Sequence, residues 1–460
     1  MTVLLWFRDH DIRIHDNAAF HYFLQHAQPQ DKAIYFTMPK VWRGYDWAAI
    51  KIDFLRRHLA LLRSQLANFG VELLVIDVDS YQQQIDYISQ YYCQHDIKCI
   101  VTNREFELNE LQRDQALLSQ GLKFKFFESD VIVPKGKLLN QSGQMFKVFT
   151  PFKKAWLSYV RENGFEYYAQ EQRQAEDTEI ADEQANRVSN AWPLVNVIEQ
   201  QVLADFFQNK LAHYHQQRDL PAIKGTSGLS PYLAIGALSS RYVLQLLLQR
   251  YPDLLVASDS PVFSWLNELI WREFYRHLLF HYPQLAMQQN FNRRYDGLKW
   301  HNDKLLFQAW CDGKTGYPLI DAAMRQLLKT GWMHNRLRMV VASFLTKHLL
   351  IDWRWGEQFF MSHLIDGDLA ANNGGWQWAA STGCDAQPYF RIFNPIRQSE
   401  RFDPQGEFIR RYLPELEHVP EKHIHFPHQY LADKAHHYWP AIVEHKSARE
   451  RALSFFKAHG

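Results

Sequence analysis

The chain has 460 residues and a formal net charge of +1, from 51 basic and 50 acidic side chains. This length suits two or three domains with sizeable cores. It contains no apolar run of about eighteen residues, and no basic segment precedes the apolar start, so we expect neither a membrane span nor a signal peptide. The four cysteines are scattered without a Cys-x-x-Cys pair, which indicates reduced thiols in a cytoplasmic protein.

The first 130 residues alternate short apolar runs with amphipathic stretches, which predicts βαβ units and a doubly wound parallel sheet. The clearest helix is Trp47–Asn68. No Gly-x-Gly-x-x-Gly follows the first strand, so this Rossmann-like domain lacks the usual dinucleotide fingerprint. The candidate strands are Val3–Phe7, Ala33–Thr37, Glu72–Asp77, Lys98–Thr102 and Lys123–Phe127.

The pattern loosens over residues 131–196, where we predict an interdomain linker with an exposed polar segment at Gln170–Asn190. Helical spacing dominates residues 197–460, which predicts a large all-helical domain. The fold class is therefore an α/β domain (1–130), a linker and an all-α domain. The predicted helices are Val197–Gln217, Pro231–Gln249, Pro261–Phe280, Gly316–Thr330, Asn335–Leu350 and Gly356–Leu364.

A Gly/Ser/Thr-rich loop begins at Lys224 and runs into a helix, with Ser230 suited to the N-cap and Pro231 to the first helical position. Backbone N–H groups and hydroxyls at a helix start can bind an anion. Ordinary helix capping explains the same residues, so both interpretations stay open.

Glu268, Trp271 and Arg272 are spaced i, i+3 and i+4, so they share one face of a predicted helix. They can form a surface ion pair beside a core tryptophan. They can equally form a stacking surface for an extruded base, with a carboxylate and a guanidinium beside it.

Positive charge is concentrated between Arg325 and Arg354, where six basic side chains stand against one acidic side chain, Asp352. The patch is either a solvated helix face or a binding surface. Arg336 and Arg338 stand among apolar neighbours, which favours partial burial and a partner.

Asp366, Asp368 and Asn372 precede two tryptophans and resemble a metal loop, but the spacing does not fit an EF-hand. We predict no metal site and interpret the stretch as the wall of a flavin pocket. No hydrolase or phosphate-loop motif is present in the sequence, which indicates that a cofactor performs the chemistry.

These residues identify a resemblance to the photolyase/cryptochrome family, specifically the bacterial class I cyclobutane pyrimidine dimer photolyases, which are carbon–carbon lyases. The resemblance spans essentially the whole chain. It implies that light absorbed by reduced, anionic FAD drives an electron into a flipped-out dimer in DNA, which then splits. The matching motifs lie at residues 5–17, Gly225–Ser230, Trp265–His277, Thr315–Met339 and Asp352–Pro395.

The resemblance also implies the residues that bind FAD. Arg338 and Asp366 would pair beside the flavin ring, and Asn372 would face its N5 atom. A nearby cation favours the anionic reduced ring. The phosphates would be held by Tyr214, Thr226, Ser227, Gly228, Leu229 and Ser230, and the remaining cofactor contacts would be Trp265, Glu268, Arg272, Asn335 and Asp368.

For the reaction, the resemblance assigns contacts with the dimer, contacts with DNA and an electron route. The protein would act as a monomer on damaged DNA. Asn335 and Asn372 would join the catalytic set. The dimer contacts would be Glu268, Trp271, Arg336, Met339 and Trp378, further DNA contacts Arg218 and Arg391, and the electron route Trp376, Trp353 and Trp300.

Other activities within the family differ at a few positions. The (6-4) photolyases carry histidines where this chain has Asn335 and Met339, and plant cryptochromes carry Asp in place of Asn372. A cryptochrome-type blue-light photoreceptor is the alternative function. A non-catalytic flavoprotein that binds nucleic acid would need neither Glu268 nor Trp271.

A second, light-harvesting cofactor is also implied. Asn109 and Glu110 match the folate-contacting pair of the family, so we predict a 5,10-methenyltetrahydrofolate antenna. Ala286 and Met287 replace a Cys-Lys pair, and the loop Trp42-Arg43-Gly44 lacks the expected His. The alternatives to a folate antenna are a deazaflavin antenna and an unoccupied antenna site.

Overall fold

The structure, a computed structural model, describes residues 2–169, 188–432 and 438–458. The chain divides into two compact units, each built from two stretches of sequence: Met1–Gln208 with Ser227–Ala286, and Asn209–Thr226 with Met287–Gly460. The domain boundaries at residues 130 and 196 follow composition and remain a prediction. Most of the predicted polar segment Gln170–Asn190 lies outside the described residues.

The first unit contains the predicted parallel sheet, whose strands in chain order are β1 (Val3–Trp6), β2 (Lys32–Thr37), β3 (Leu73–Asp77), β4 (Cys99–Asn103) and β5 (Phe124–Phe127). Their order across the sheet is β3-β2-β1-β4-β5. All four residues of the central strand β1 are buried, as expected for a sheet covered on both faces. The order changes direction between β1 and β4, which creates a topological switch point there. Each strand lies within one residue of its predicted bounds.

The helices of the first unit include one that the sequence pattern did not reveal, Phe149–Asn163, inside the predicted linker. It buries Phe149, Phe152, Trp156 and Val160 along one face. The other helices are Ala18–His26, Pro39–Gly44, Ala49–Ala67, Tyr81–Gln94, Leu108–Ser119, Ser230–Ala234, Ser240–Arg250 and Phe263–His281, with mixed helical turns over residues 195–210 and short 3₁₀ turns at Pro252–Leu255 and Pro283–Met287.

The predicted helix Pro231–Gln249 is wrong in one respect, because a turn at residues 235–239 divides it. Gly236 makes this turn with φ of +66°, and a Cβ at that position would lie 1.9 Å from the carbonyl oxygen of His10. Only glycine tolerates both the conformation and the close approach. The first of the two resulting helices begins at Ser230, one residue before Pro231, which was the predicted first helical residue.

A buried carboxylate joins three parts of the first unit. Glu273, on the Phe263–His281 helix, is fully buried and accepts hydrogen bonds from the backbone N–H of Ile132, from that of Val133 at 2.9 Å, and from the Trp156 indole. Burial raises the pKa of Glu273 to about 7. The carboxylate therefore fixes the start of the predicted linker and the unpredicted helix against the Phe263–His281 helix.

The second unit is helical. Asn335–Ser343 continues as wider turns over Phe344–His348, and the predicted helix Gly356–Leu364 begins earlier, at Trp353, because the Asp352 side chain accepts a hydrogen bond from Arg354 N. The remaining helices are Tyr214–Gln217, Lys304–Cys311, Pro318–Thr330, Trp353–Met361, Leu369–Ala380, Pro395–Phe402, Glu407–Tyr412, Glu421–Ile424, His428–Leu431 and His445–Lys457, with 3₁₀ turns at Leu211–His213, Arg293–Tyr295 and Pro414–Leu416.

Within residues 2–169, 188–432 and 438–458, none of the helices combines the length and hydropathy needed to cross a bilayer. The same residues contain no group of three or more His, Cys, Asp or Glu side chains placed to hold a metal ion. Cys93, Cys99, Cys311 and Cys384 form no disulfide bond with one another.

Replacing Gly236 with Ala should lower the thermal unfolding midpoint far more than replacing Gly70 with Ala. Both glycines have positive φ, but nothing lies within 4 Å of the Cβ position at Gly70. Gly70→Ala therefore measures the backbone strain alone, about 1 kcal/mol, and Gly236→Ala adds the clash with His10, a further ~2 kcal/mol or more. Equal midpoints, measured by circular dichroism, would show that the chain relaxes around position 236.

Candidate functional site

The helix Asn335–Ser343 presents most of its predicted site residues on its accessible side. Asn335 is exposed, and Arg336, Arg338 and Met339 are partly buried. Leu337 and its apolar neighbours later in the helix face the core. The sequence Asn-Arg-Leu-Arg-Met thus separates a polar, basic face from a packed one, as the helical period requires.

Arg338 and Asp366 form the ion pair that the family resemblance implies. Arg338 Nη2 lies 3.0 Å and 2.8 Å from the two Asp366 carboxylate oxygens, and Arg338 Nε donates to the Met333 carbonyl oxygen at 2.8 Å. The Asp366 side chain is 3% exposed and that of Arg338 is 25% exposed. The cation is therefore held in a defined position at the edge of the second unit's core.

The helix Leu369–Ala380 carries Asn372, Trp376 and Trp378, and the side chain of Asp368 caps its start by accepting from Ala371 N at 2.9 Å. Asn372 Nδ2 donates to the Glu357 carbonyl oxygen at 2.9 Å. The Asp368 carboxylate therefore serves as the N-cap of this helix.

Glu357 is a site residue that the sequence reasoning missed. Its carboxylate accepts from Asn373 Nδ2 at 2.9 Å while its backbone oxygen accepts from Asn372, so it holds both asparagines. It is buried, and burial raises its pKa to about 7. An acidic residue in an otherwise aromatic helix, Trp-Arg-Trp-Gly-Glu, was the available signal.

Arg336 is paired with Asp219, the second residue that the sequence reasoning missed. Its Nε lies 3.2 Å from Asp219 Oδ1 and its Nη2 lies 2.8 Å from Oδ2, a two-point contact. Its guanidinium also lies 4.5 Å from the Phe402 ring centroid. Arg218 Nε lies 4.0 Å from the same Asp219 carboxylate. Two predicted DNA-contacting arginines therefore share one acid. The third, Arg391, is exposed.

The three tryptophans of the predicted electron route differ in exposure. Trp376 and Trp353 are buried, whereas Trp300 is partly exposed and packs 5.4 Å from the Phe455 ring. Trp353 Nε1 donates to Asn290 Oδ1 at 3.0 Å. The Trp376 indole lies against the backbone of Gly356, where a Cβ would come within 2.1 Å of it.

In the first unit, Glu268 and Trp271 lie on the Phe263–His281 helix and are partly buried. The Trp271 ring stacks on Phe149 with centroids 3.7 Å apart and planes 5° apart. Tyr275 stacks less closely, at 5.7 Å. Phe149 thus covers one face of the Trp271 indole. A nucleobase could stack only on the part of the ring that Phe149 leaves accessible.

Other predicted cofactor residues of the first unit lie in two settings. Gly228, in the loop that ends at Ser230, has φ of +68° and open space around its Cβ position. Trp265 is buried against Phe206, with ring centroids 5.3 Å apart. Arg272 donates from Nη1 to the Asp130 carbonyl at 2.7 Å and from Nη2 to the Leu233 carbonyl at 3.3 Å. The Arg272 guanidinium therefore donates hydrogen bonds to two backbone carbonyl groups within the first unit.

The predicted antenna residues lie at the start of the Leu108–Ser119 helix, after β4. Asn109 Nδ2 donates to the Tyr45 hydroxyl at 2.6 Å, and the Tyr81 hydroxyl donates to Glu110. Burial and the nearby carboxylates raise the pKa of Glu110 to about 7. The segment Trp42-Arg43-Gly44, predicted as a loop, belongs to the helix Pro39–Gly44, because Trp42 is buried and stacks on Trp47.

Comparison with known proteins gives two family matches along the chain. Residues 3–173 match the family model described as DNA photolyase, and residues 265–458 match the FAD binding domain of DNA photolyase. The chain is 45% identical to deoxyribodipyrimidine photo-lyase of Vibrio cholerae, covering 99% of each protein. The Escherichia coli enzyme of that name is 43% identical over 99% of this chain and 98% of its own length. This chain belongs to the DNA photolyase family.

Solved structures of this photolyase family agree over the full length. A class III photolyase from Agrobacterium tumefaciens superposes with a TM-score of 0.80 at 33% identity, covering 100% of this chain and 97% of its own. A Synechocystis cryptochrome gives a TM-score of 0.82 at 28% identity, covering 99% of both chains. The predicted fold class is confirmed, and FAD is the cofactor of the domain to which the Arg338–Asp366 pair belongs.

In this photolyase, Glu357→Gln should change how stability depends on pH. The native pKa near 7 exceeds the ordinary value of 4.5, so the native wild type binds more protons than the unfolded chain between those pH values. Its stability should therefore fall as pH rises from 4.5 to 7, and Gln removes this loss, worth on the order of 2 kcal/mol. The unfolding midpoint of the FAD-loaded variant should exceed wild type at pH 8 and match it at pH 5.

The surface variant Glu162→Gln, whose parent side chain is exposed, serves as the control. A Glu357→Gln midpoint that tracks wild type at both pH values would show that Glu357 is already ionised in the native state.

Proposed function

We propose that this photolyase repairs cyclobutane pyrimidine dimers in DNA, using light absorbed by reduced FAD. The observation that carries the proposal is 45% and 43% identity to two deoxyribodipyrimidine photo-lyases over 99% of this chain. Damaged DNA is the substrate, and the bonds that break are the carbon–carbon bonds of the cyclobutane ring. The enzyme class is a deoxyribodipyrimidine photo-lyase.

The chemistry of the donor set fits FAD. Arg338, fixed by Asp366, supplies a cation in a partly buried site, where it favours the negative charge of a reduced flavin. Thr226, Ser227 and Ser230 supply hydroxyls, and Gly228 leaves its backbone open to a close approach. When bound, FAD supplies the absorption of light and the electron. We assign the phosphates to this loop and Tyr214, and the ring to Asn335, Arg338, Asp366, Asp368 and Asn372, with Trp265, Glu268 and Arg272 as further contacts.

The remaining residues would receive the dimer and the DNA. Glu268 offers a carboxyl group for a hydrogen bond to a pyrimidine, and Trp271 offers the part of its ring that Phe149 leaves uncovered. Trp378 and Met339 would add apolar contact. Arg336 would contact the dimer, and Arg218 and Arg391 would bind the DNA near the lesion. Asp219 would orient two of these arginines, since its carboxylate contacts both.

The photoreceptor alternative rests on the Synechocystis cryptochrome, which shares the fold at a TM-score of 0.82. That structure is 28% identical to this chain, well below the 45% of the Vibrio cholerae photo-lyase. Identity over the whole length therefore favours repair over light sensing.

We also propose that Asn109 and Glu110 bind a 5,10-methenyltetrahydrofolate antenna. With a pKa near 7, the Glu110 carboxyl can be protonated and donate a hydrogen bond to a pterin ring, or be ionised and accept one. Protein from the natural host should show a folate absorption band, and this band should be lost in Glu110→Ala. A deazaflavin spectrum would contradict the assignment. We further propose that the enzyme acts as a monomer in the cytoplasm.

The function is tested by light-dependent repair of two defined substrates. FAD-loaded, chemically reduced enzyme should restore DNA with a cyclobutane thymine dimer only under blue light, and it should leave a (6-4) photoproduct unchanged. The reason is that Asn335 and Met339 stand where (6-4) photolyases carry histidines. Failure on both substrates with FAD bound would favour the photoreceptor.

The same assay tests the site. Glu268→Ala should lower repair of the cyclobutane dimer by about tenfold or more while leaving the FAD spectrum unchanged, because it removes a hydrogen bond to the reacting base. Glu162→Ala, at an exposed acid of the first unit, should repair like wild type. An unchanged yield in Glu268→Ala would remove this residue from the mechanism.

A further inference from the structure

The side chain of His10 joins two helices of the first unit that carry or follow proposed cofactor residues. Its Nδ1 lies 3.2 Å from the carbonyl oxygen of Ala234, the last residue of the helix Ser230–Ala234. Its Nε2 lies 3.3 Å from a carboxylate oxygen of Glu107, the residue before the helix Leu108–Ser119. The first of these helices follows the loop assigned to the FAD phosphates, and the second carries the proposed antenna pair. His10 therefore bridges the two.

Both neighbours of the His10 ring are hydrogen-bond acceptors. A carbonyl oxygen can only accept, and so can an ionised carboxylate. Burial opposes the ionisation of Glu107, but the contact with His10 and the nearby Arg276 and Lys135 outweigh it and lower the pKa of Glu107 to about 2. A neutral imidazole has one N–H group and can satisfy only one acceptor. The two contacts are therefore those of a protonated ring, which has two N–H groups.

Loss of one proton would leave His10 with one of its two hydrogen bonds. The remaining N–H should stay with the Glu107 carboxylate, because a charged acceptor forms the stronger hydrogen bond. The Ala234 carbonyl oxygen would then face the lone pair of a ring nitrogen. The His10 side chain is 19% exposed, so solvent can exchange this proton. His10 thus holds the helix Ser230–Ala234 only while its ring is doubly protonated.

The charged side chains around His10 and its partner acid are of both signs: Asp9, Glu105, Glu107, Arg13, Lys51, Lys135 and Arg276. Lys135 and Arg276 each pair with Asp130, at 2.6 Å and 2.9 Å. Burial and the neighbouring acid raise the pKa of Asp9, which weakens its negative charge. The Glu107 carboxylate is in direct contact with the ring, so it weighs most on the protonation of His10.

Three basic side chains hold the end of the helix Ser230–Ala234 and the turn that follows it. His10 contacts the last carbonyl group of the helix, and Arg272 Nη2 donates to the carbonyl group one residue earlier, at 3.3 Å. Arg13 Nη1 donates to the carbonyl oxygen of Gly236 at 2.9 Å. The last carbonyl groups of a helix have no partner within it, so other groups must supply one. Of the three residue types, only histidine ordinarily changes its charge near neutral pH.

We propose that protonated His10 is a positioning residue for FAD. It holds the end of the helix Ser230–Ala234, and through this helix it keeps the loop that ends at Ser230 in the conformation that retains the cofactor. The proposal rests on the proposed function, because that function assigns the FAD phosphates to this loop. Retention of FAD should weaken as the pH rises through the range in which His10 loses a proton.

The test measures how fast FAD leaves the oxidised holoenzyme in the dark, from the rise in flavin fluorescence after dilution. Wild type should release FAD about fivefold or more faster at pH 9 than at pH 6. His10→Gln should release it fast at both pH values, because Gln, like the neutral ring, can donate to Glu107 but carries no charge. His26→Gln removes an exposed histidine of the same unit and should behave like wild type.

Glu107→Gln is a second variant, and it keeps His10. Its neutral amide no longer favours the protonated ring, so the increase in the release rate should occur about one pH unit lower than in wild type. Two results would overturn the proposal. One is a His10→Gln protein that releases FAD with the rate and pH dependence of wild type. The other is a Glu107→Gln protein whose increase occurs at the wild-type pH.

Hydrogen exchange in the holoenzyme reports on the helix itself. Peptides that cover residues 230–238 should exchange faster in His10→Gln than in wild type at pH 6, and equally at pH 9. Comparing two proteins at one pH removes the intrinsic pH dependence of exchange. Gly70→Ala strains the backbone of the first unit elsewhere and should leave these peptides unchanged. If Gly70→Ala speeds their exchange as much as His10→Gln does, the effect is general and the proposal is wrong.

Failure of this positioning role and failure of the proposed function are distinguishable. Wild type reduced with dithionite at pH 7 should repair the cyclobutane dimer under blue light. If it does not, the proposed function is wrong. If it repairs the dimer and His10→Gln leaves the release of FAD unchanged, only the positioning role of His10 is wrong.

Discussion

The buried carboxylate of Glu273 is the interaction on which the candidate site of the first unit depends. It satisfies two backbone N–H groups and an indole N–H that burial would otherwise leave without acceptors. The same two helices that it joins also bring Phe149 onto Trp271. Glu268 and Trp271 therefore owe their position to an acid that is not itself among the proposed site residues.

Much of the fold was predictable because its signals are local. The strands are buried apolar runs between amphipathic helices, and their predicted bounds hold to one residue. The prediction of one continuous helix over Pro231–Gln249 was wrong because the interruption depends on the close approach of His10, which is more than two hundred residues away in sequence. The Phe149–Asn163 helix was hidden because polar sequence surrounds it. Propensity does not report such distant contacts.

For the candidate site, motifs in the sequence predict a set of residues, but they do not reveal which other residues hold those side chains in place. Motifs identified Arg336, Arg338 and Asn372. Their supports, Asp219 and Glu357, lie outside those motifs, and Asp219 is 117 positions from Arg336. All four arginines of the basic stretch, Arg325, Arg336, Arg338 and Arg354, have a carboxylate partner within the protein. Such pairing fixes the orientation of each guanidinium, but it weakens the attraction of the positive charge for distant anions.

The interleaving of the two units determines the order in which they can be completed during synthesis. Residues 209–226, which include Tyr214, Arg218 and Asp219, leave the ribosome before the first unit has its last helix, yet they pack with residues beyond 287. The first unit can close once residue 286 has emerged. Asp219 can pair with Arg336 only after residue 336 has been synthesised. A nascent chain therefore passes through a stage in which part of the proposed DNA-binding surface exists but its packing partners do not.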